Sequence, residues 1–259
     1  MHDPLWTGDD RALALDPGAR IPVSRLFAAV QVFLVCGIPT QLLVFAVLLG
    51  SGSPMTADGA ALTADVSKIS LEFFAMTSLF DTALIAILIR IFLAISGENS
   101  SDVFLGRRRL GGEILRGIGL VPVCLFVVVG LVNLIARWVP NLHNVPTSPY
   151  ESYMQTPLRA GIFIVVVILA GGVREELQRA FVLHRFEQRL GGAGVGLVIW
   201  SAAFGLFHLP QGKDAALAVG VLGLFWGLIY LRRRSAVAPM VSHAGFDVAE
   251  ILLKSLSGS

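Results

Sequence analysis

The chain has 259 residues, of which 55% are hydrophobic and 15% are charged, and its mean hydropathy is +0.75. A soluble globular domain carries about 25% charged residues, so this composition excludes an ordinary soluble domain and indicates an integral membrane protein. The formal net charge of +2, with no groove-like Lys/Arg pattern, excludes the composition that is typical of nucleic-acid binders.

The elements predicted along the chain are transmembrane helices. Residues 1–25 are mixed in charge and acidic early, which predicts a short cytoplasmic lead-in rather than a cleaved signal peptide. A spanning helix needs about 20 mostly apolar residues. Seven runs are candidates, at residues 26–50, 71–96, 115–138, 158–184, 195–210, 215–231 and 236–256, of which the fifth and sixth are short. The sequence therefore predicts an all-α, multi-pass transmembrane bundle of about seven or eight helices, with a single domain over residues 26–256.

Arginines mark alternate loops between these runs. They precede the first run, lie between the second and third at residues 107–109, follow the fourth, and follow the sixth at residues 232–234. Basic residues concentrate in the cytoplasmic loops of membrane proteins. The alternation therefore predicts a cytoplasmic N-terminus and a multi-pass cell-membrane protein, with a bacterial inner membrane as the expected location.

The fourth run ends in the charged segment GGVREELQRAF, residues 171–181. A charge at the bilayer centre costs about 3 kcal/mol on insertion scales, so we expect these side chains to face the bundle interior. Glu175 lies four residues and Glu176 three residues before Arg179, so either carboxylate can share a helix face with it. The alternative is a helix end that reaches the headgroup region, with Arg174 and Arg179 snorkelling to water.

Two later runs carry polar residues among small and apolar ones. His208 closes the fifth run, and His243 and Asp247 stand four apart in the seventh, which places them on one helix face. Counted at about 1.5 Å per residue, His243 comes close to the depth of Glu175. Polar groups that face a bundle interior often mark a functional site, so we expect three helices to share one. Asp81 also lies at about mid-span, with no partner that the sequence identifies.

In order and spacing, three motifs resemble the signatures of the CPBP family, which includes the type 2 CAAX prenyl proteases and the bacteriocin-processing and abortive-infection proteins. They are EELQR at 175–179, FGLFH at 204–208 and HAGFD at 243–247. The family pattern is a glutamate pair followed by an arginine, then F-x-x-x-H, then H-x-x-x-N or D. The resemblance covers residues 158–256 and implies that this region is the catalytic core of a glutamate-dependent intramembrane endopeptidase without a cofactor.

The first motif departs from the family pattern, in which three residues usually separate the second glutamate from the arginine. Here only Leu177 and Gln178 do so. If the arginines are aligned, Arg174 takes the place of the first glutamate and Glu175 that of the second; if the glutamates are aligned, one residue is missing. A helix turns by about 100° per residue, so the choice decides which carboxylate faces the cavity. We favour Glu175, because of its four-residue spacing to Arg179.

The residue types predict hydrolysis by an activated water. No serine or cysteine stands beside a base in a nucleophile-like arrangement, so water is the natural nucleophile. Glu175 or Glu176 is the candidate general base, since burial in a low-dielectric bundle adapts a carboxylate to that role. Arg179 is expected to fix the position of the carboxylate.

The remaining motif residues take supporting roles in this hypothesis. His208 could share the water or protonate the leaving amine, and His243 could donate to the tetrahedral oxyanion. Asp247 is expected to orient His243 or a neighbour, because an ionised carboxylate cannot donate.

The expected substrate is a membrane-embedded or lipidated peptide or protein within the lipid bilayer, and no nucleic-acid partner is expected. Three alternatives stay open. Two histidines and a carboxylate are a catalytic zinc set, although H-E-x-x-H is absent and zinc is not favoured. The shortened glutamate–arginine spacing would suit a non-catalytic family member that acts as a peptide-immunity or chaperone-like membrane partner. A small transporter with a carboxylate proton relay would need more polar residues in the outer half of the bundle.

Overall fold

The computed structural model describes residues 23–50, 69–145 and 148–257. Most of the predicted lead-in, residues 1–22, therefore lies outside the described residues. The chain that is described is helical, with the following elements: α1 (Arg25–Val35), α2 (Ile38–Gly50), α3 (Leu71–Ile95), α4 (Ser100–Phe104), α5 (Leu110–Trp138), α6 (Pro157–Val167), a π-helical segment (Ile168–Glu175), α7 (Glu176–Arg189), α8 (Ala193–Phe207), α9 (Lys213–Arg233) and α10 (Val237–Ser257).

Polar side chains cap the N-termini of α3 and α6, where two of the apolar runs start. The Ser70 side chain accepts the backbone N–H of Phe73 at 3.1 Å at the start of α3. The Thr156 side chain accepts the N–H of Arg159 at 3.3 Å, and Pro157 occupies the first turn of α6. A side-chain oxygen of this kind satisfies one of the free N–H groups of a first helical turn, and proline has none to satisfy.

Among the described residues, four helical segments are long and apolar enough to cross a membrane: Leu71–Ile95, Leu110–Trp138, Pro157–Arg189 and Lys213–Arg233. A fifth span results if α1 and α2, which are bent by 43° at the break between them, count as one. All seven predicted runs coincide with helices, so the all-helical membrane bundle is confirmed. The span count by length and composition is four or five, and the orientation of the N-terminus stays a prediction.

The break between α1 and α2 shapes the bundle interior. Gly37 has a φ of +96°, a conformation that side chains with a Cβ rarely adopt, and Pro39 follows in the first turn of α2. Cys36, Gly37 and Ile38 consequently line an internal cavity instead of continuing a regular helix wall.

The helices that carry the three motifs meet in the interior. Helix α10 packs on α5, α6 and the π-helical segment, while α8 packs on α9, which in turn contacts α5 and α10. Small residues allow the α8–α9 approach, because a Cβ at Gly205 would lie 2.7 Å from the carbonyl oxygen of Ala216. Aromatic and aliphatic side chains, including Phe204, Trp226 and Phe246, fill the space between these helices.

Candidate active site

The charged segment of the fourth run begins in a π-helix rather than an α-helix. A π turn places one additional residue in its hydrogen-bonded ring, and such turns are frequent at functional sites. Gly172 lies in this segment, where a Cβ would fall 2.5 Å from the Cβ of Ala244 and 2.9 Å from its backbone nitrogen. Helix α10 can therefore lie directly on the segment, which brings His243 to the glutamate pair.

Glu176 is the buried member of the glutamate pair. Its side chain is 1% exposed and forms an ion pair with Arg179, which is equally buried. The Nδ1–H of His243 donates to its Oε1 at 2.8 Å. Of the two carboxylates that could pair with Arg179, Glu176 does so, while Glu175 is the one that lines the cavity. Regular α-helix begins at Glu176, which suits its three-residue spacing to Arg179, whereas Glu175 still belongs to the π turn.

Aromatic rings enclose this buried pair. The guanidinium of Arg179 lies 4.5 Å from the ring centroid of Phe204 and 5.5 Å from that of Trp226. Its Nε and Nη2 have no hydrogen-bond partner among the described residues, so contact with the ring faces offsets part of the burial cost. Trp226 also stacks on the imidazole of His243, with centroids 3.9 Å apart and planes at 18°. The sequence had offered no reason to single out Trp226.

Glu175 faces the cavity. Its side chain is 18% exposed, and its Oε1 accepts a hydrogen bond from Arg174 at 3.0 Å. Its Oε2 lies 3.8 Å from Nε2 of His243, and Oδ2 of Asp247 lies 3.8 Å from the same nitrogen. Two carboxylates from different elements thus converge on one imidazole nitrogen at the cavity wall.

His208 lines the same cavity at the end of α8. Its Nδ1–H donates to the backbone carbonyl of Phe204 at 2.8 Å. A carbonyl only accepts, so this bond assigns the proton to Nδ1 and leaves Nε2 as the nitrogen for further chemistry. The position four residues after Phe204 thus orients the imidazole.

The cavity has a volume of about 720 Å³. Glu175, His208, His243 and Asp247 line it, while Glu176 and Arg179 lie behind this wall. Much of the remaining wall is apolar and includes Phe74, Val128, Phe163, Phe207 and Leu222. The predicted site residues are therefore brought together, in two layers, around one space.

An aromatic cluster in the 148–154 loop closes part of the cavity wall. The rings of Tyr150 and Tyr153 pack against Phe74 at 5.6 and 5.4 Å, and Phe163 completes the cluster. Burial raises the pKa of the Tyr150 hydroxyl above its ordinary value, so this cavity-lining group stays neutral near pH 7.

Arg174 gives Asp81 the partner that the sequence did not identify. It donates from Nη1 to Oδ2 of Asp81 at 2.5 Å, from Nη2 to Glu175 at 3.0 Å, and from Nε to the carbonyl of Ala170 at 3.1 Å. The snorkelling alternative is therefore wrong for Arg174, whose side chain is 11% exposed. Asp81 and Arg174 carry opposite charges within two predicted runs, which could have suggested the pair. The sequence does not show, however, which helices are neighbours.

The described residues contain no group of three His, Cys, Asp or Glu side chains arranged to hold a metal ion. The zinc alternative thus rests on the residue types alone, and a chelator experiment tests it below.

Comparison with protein families finds a match for residues 157–249, to the family described as type II CAAX prenyl endopeptidase Rce1-like. This range holds the π-helical segment and every predicted site residue, whereas α1–α5 lie outside it. Searches of curated proteins and of solved structures found no match for the chain. Residues 157–249 of this multi-pass membrane protein therefore match the Rce1-like domain of the CPBP family of CAAX-type proteases.

Proposed function

We propose that this protein is an intramembrane endopeptidase that hydrolyses a peptide bond of a membrane-embedded or lipidated substrate with a glutamate-activated water. One observation carries the proposal: Glu175, His243 and Asp247 converge on a cavity that His208 also lines. The family match over residues 157–249 supports the class of reaction, and the cavity geometry supports the residue roles.

Glu175 is the general base of the proposed mechanism. Glu176 already binds Arg179 and His243 and lies behind the cavity wall, so it serves as a positioning carboxylate. Glu175 removes a proton from water, and the water oxygen forms a bond to the carbonyl carbon of the substrate. The tetrahedral intermediate then collapses as the C–N bond breaks, and the proton passes to the leaving amine through His208.

His243 and Asp247 stabilise the charge that develops on the carbonyl oxygen. The bond to Glu176 places a proton on Nδ1 of His243, which leaves Nε2 directed between the two cavity carboxylates. In this proposal Asp247 lends a proton to Nε2 across the 3.8 Å gap, so that His243 donates to the oxyanion, and the proton returns to Asp247 when the intermediate collapses. The mechanism needs no covalent intermediate and no metal.

The cavity supports an apolar substrate within the membrane. The motif residues provide polar groups on its wall, and aromatic or aliphatic side chains form much of the rest. A peptide that enters from the lipid can bury apolar side chains or a lipid group there while its backbone reaches Glu175. We propose a bacterial inner-membrane location and a membrane peptide or protein as substrate.

The proposal is tested with protein purified in detergent and incubated with a prenylated peptide and with a mixture of membrane peptides. Mass spectrometry of the products detects hydrolysis. We expect Glu175→Gln to lower the rate by roughly 10²- to 10⁴-fold, the usual range for a general base, and His208→Ala to lower it as well. Glu187→Gln is the matched control, because Glu187 pairs with Arg234 on the surface and does not line the cavity.

The other outcomes separate the alternatives. Full activity in Glu175→Gln would remove the proposed base. Activity that is lost with chelator and restored by zinc would favour a zinc protease. Folded wild-type protein that cleaves neither substrate would favour the non-catalytic partner, for which the shortened spacing between Glu176 and Arg179 is the supporting observation.

A further inference from the structure

We propose that Asp81 of α3 is a positioning residue for the reaction, because it forms with Arg174 a clamp that holds Glu175 and offsets the charge beside it. This role rests on the proposed endopeptidase function. It involves a helix outside residues 157–249, the range that matches the family.

Asp81 is buried inside the bundle. The residue lies near the middle of α3 and its side chain is fully buried, with Oδ2 bound to Arg174 at 2.5 Å. Its Oδ1 has no hydrogen-bond partner among the described residues. A buried carboxylate with an unpaired second oxygen is not expected to stabilise the fold, because an apolar side chain could fill the position with a smaller desolvation cost. A role in the neighbouring site explains its presence better.

The guanidinium of Arg174 is held on three sides. Its three guanidinium nitrogens donate to Asp81, to Glu175 and to the carbonyl oxygen of Ala170. The guanidinium is planar and its donors point in fixed directions, so contacts on three sides prevent its rotation. Asp81 thereby holds the Nη2 group where it meets Oε1 of Glu175, which leaves Oε2 on the side of His243.

Asp81 also changes the charge beside Glu175. An unopposed guanidinium 3.0 Å from Glu175 would place a full positive charge beside the proposed base. Asp81 lies closer to Arg174 than Glu175 does, so it neutralises much of that charge while the contact that orients Glu175 persists. Within the described part of the chain, Arg179 forms its ion pair with Glu176 and with no second carboxylate. The arginine beside Glu175 is thus shared with a second carboxylate, whereas the arginine beside Glu176 is not. This agrees with Glu175 as the base and Glu176 as the positioning carboxylate.

The test is a double-mutant cycle on kcat and KM with detergent-purified protein. Asp81→Asn keeps the shape and removes the charge, Arg174→Gln removes the clamp, and the double variant combines them. We expect Asp81→Asn to lower kcat by roughly 10- to 100-fold, with little change in KM or in the thermal unfolding temperature. Because Asp81 acts through Arg174, the double variant should be no slower than Arg174→Gln alone.

Thr82→Val is the matched control, since Thr82 adjoins Asp81 and its hydroxyl bonds only within α3, to the carbonyl of Ser78 at 2.6 Å. It should keep wild-type kcat. If Asp81→Asn does not fold, the comparison between Arg174→Gln and the double variant decides, because the double variant removes both charges of the Asp81–Arg174 pair.

Two results would overturn the positioning role while the proposed function stands: wild-type kcat in Asp81→Asn when Glu175→Gln is inactive, or losses that multiply in the double variant. Loss of activity in strict proportion to a lower unfolding temperature would also overturn it, because that is what a structural role predicts. An inactive wild-type protein, or an active Glu175→Gln, would overturn the endopeptidase proposal and this inference with it.

Discussion

Two clusters of charged side chains in the described part of the chain, around Glu175 and around Glu98, use their carboxylates differently. In the cavity wall, Glu175 accepts a single hydrogen bond among the described residues, from Arg174. At the far end of α7, Glu98 accepts hydrogen bonds from His184 at 3.1 Å, from Arg185 at 2.5 Å and from Gln188. Glu98 is surrounded by donors, whereas Glu175 keeps one oxygen towards the cavity.

This difference separates a structural carboxylate from one that can react. Burial raises the pKa of Glu98, but hydrogen bonds from His184, Gln188 and Arg185 outweigh it and lower the pKa to about 2. Glu98 is therefore an anion near pH 7 that ties the α3–α4 loop to α7. A carboxylate with so many donors is a poor proton acceptor, so the number of donors around a buried carboxylate indicates its use.

The largest expected effect comes from removing the arginine of each cluster. Arg179→Met should lower the free energy of unfolding by about 3–5 kcal/mol, because it leaves Glu176 buried beside no cation. Arg185→Met should cost less, about 1–3 kcal/mol, because Glu98 is partly exposed and keeps His184 as a donor. Denaturant titration in mixed micelles measures both values. Equal losses, or a larger one for Arg185→Met, would contradict the distinction between the two clusters.

The next effect concerns the backbone approach on which the cavity cluster depends. Gly172→Ala should destabilise the protein by about 1–3 kcal/mol and reduce activity, since the new Cβ would overlap the backbone of Ala244 in α10. Gly161→Ala in α6 is the control, because a Cβ there would meet no atom of another described element within 4 Å. Alanine at that position should be neutral or favourable by up to about 1 kcal/mol. Thermal unfolding and the peptide assay compare them. A Gly172→Ala protein as stable as Gly161→Ala would show that α10 does not rest on the π-helical segment.

The smallest effect is the pH dependence of the Glu98 cluster. Its folded-state pKa of about 2 lies below the ordinary value of 4.5, so its stabilisation is fully present above about pH 4.5 and is lost as the pH falls towards 2. Glu98→Gln should therefore unfold at a lower temperature than wild type near pH 7, and the gap should narrow at about pH 3. Thermal unfolding in detergent at both values tests this. A gap that widens on acidification would mean that Glu98 is not held as an anion, and peptide cleavage near pH 7 should change little in this variant.

The residue pattern predicted much of the fold and which side chains share the candidate site. Low charge and long apolar runs predicted a helical membrane bundle, because an apolar run of about 20 residues is long enough to span a bilayer as a helix. Charged and imidazole groups within such runs need partners in the bundle interior, which predicted that Glu175, His208 and His243 would share a space. The structure brings them to one cavity, and their catalytic roles are the predictions that the assays address.

Helix register and helix neighbours could not be read in the same way. The spacing of two carboxylates to Arg179 assumes regular α-helix, and the π turn that ends at Glu175 gives the arginine to Glu176 instead. A π turn depends on how the backbone packs against α10, and no local residue pattern specifies it.

The sequence by itself determined that this protein lies in a lipid bilayer, that its secondary structure is helical, and which few polar residues had to be sheltered from lipid. Those properties follow from transfer free energies, which each residue contributes wherever it lies in the chain. Only the tertiary structure decided which carboxylate faces the cavity and that Asp81, far away in the sequence, holds Arg174. Such pairings are set by which helices lie side by side, because a buried charge accepts whatever opposite charge the packing of the bundle brings within reach.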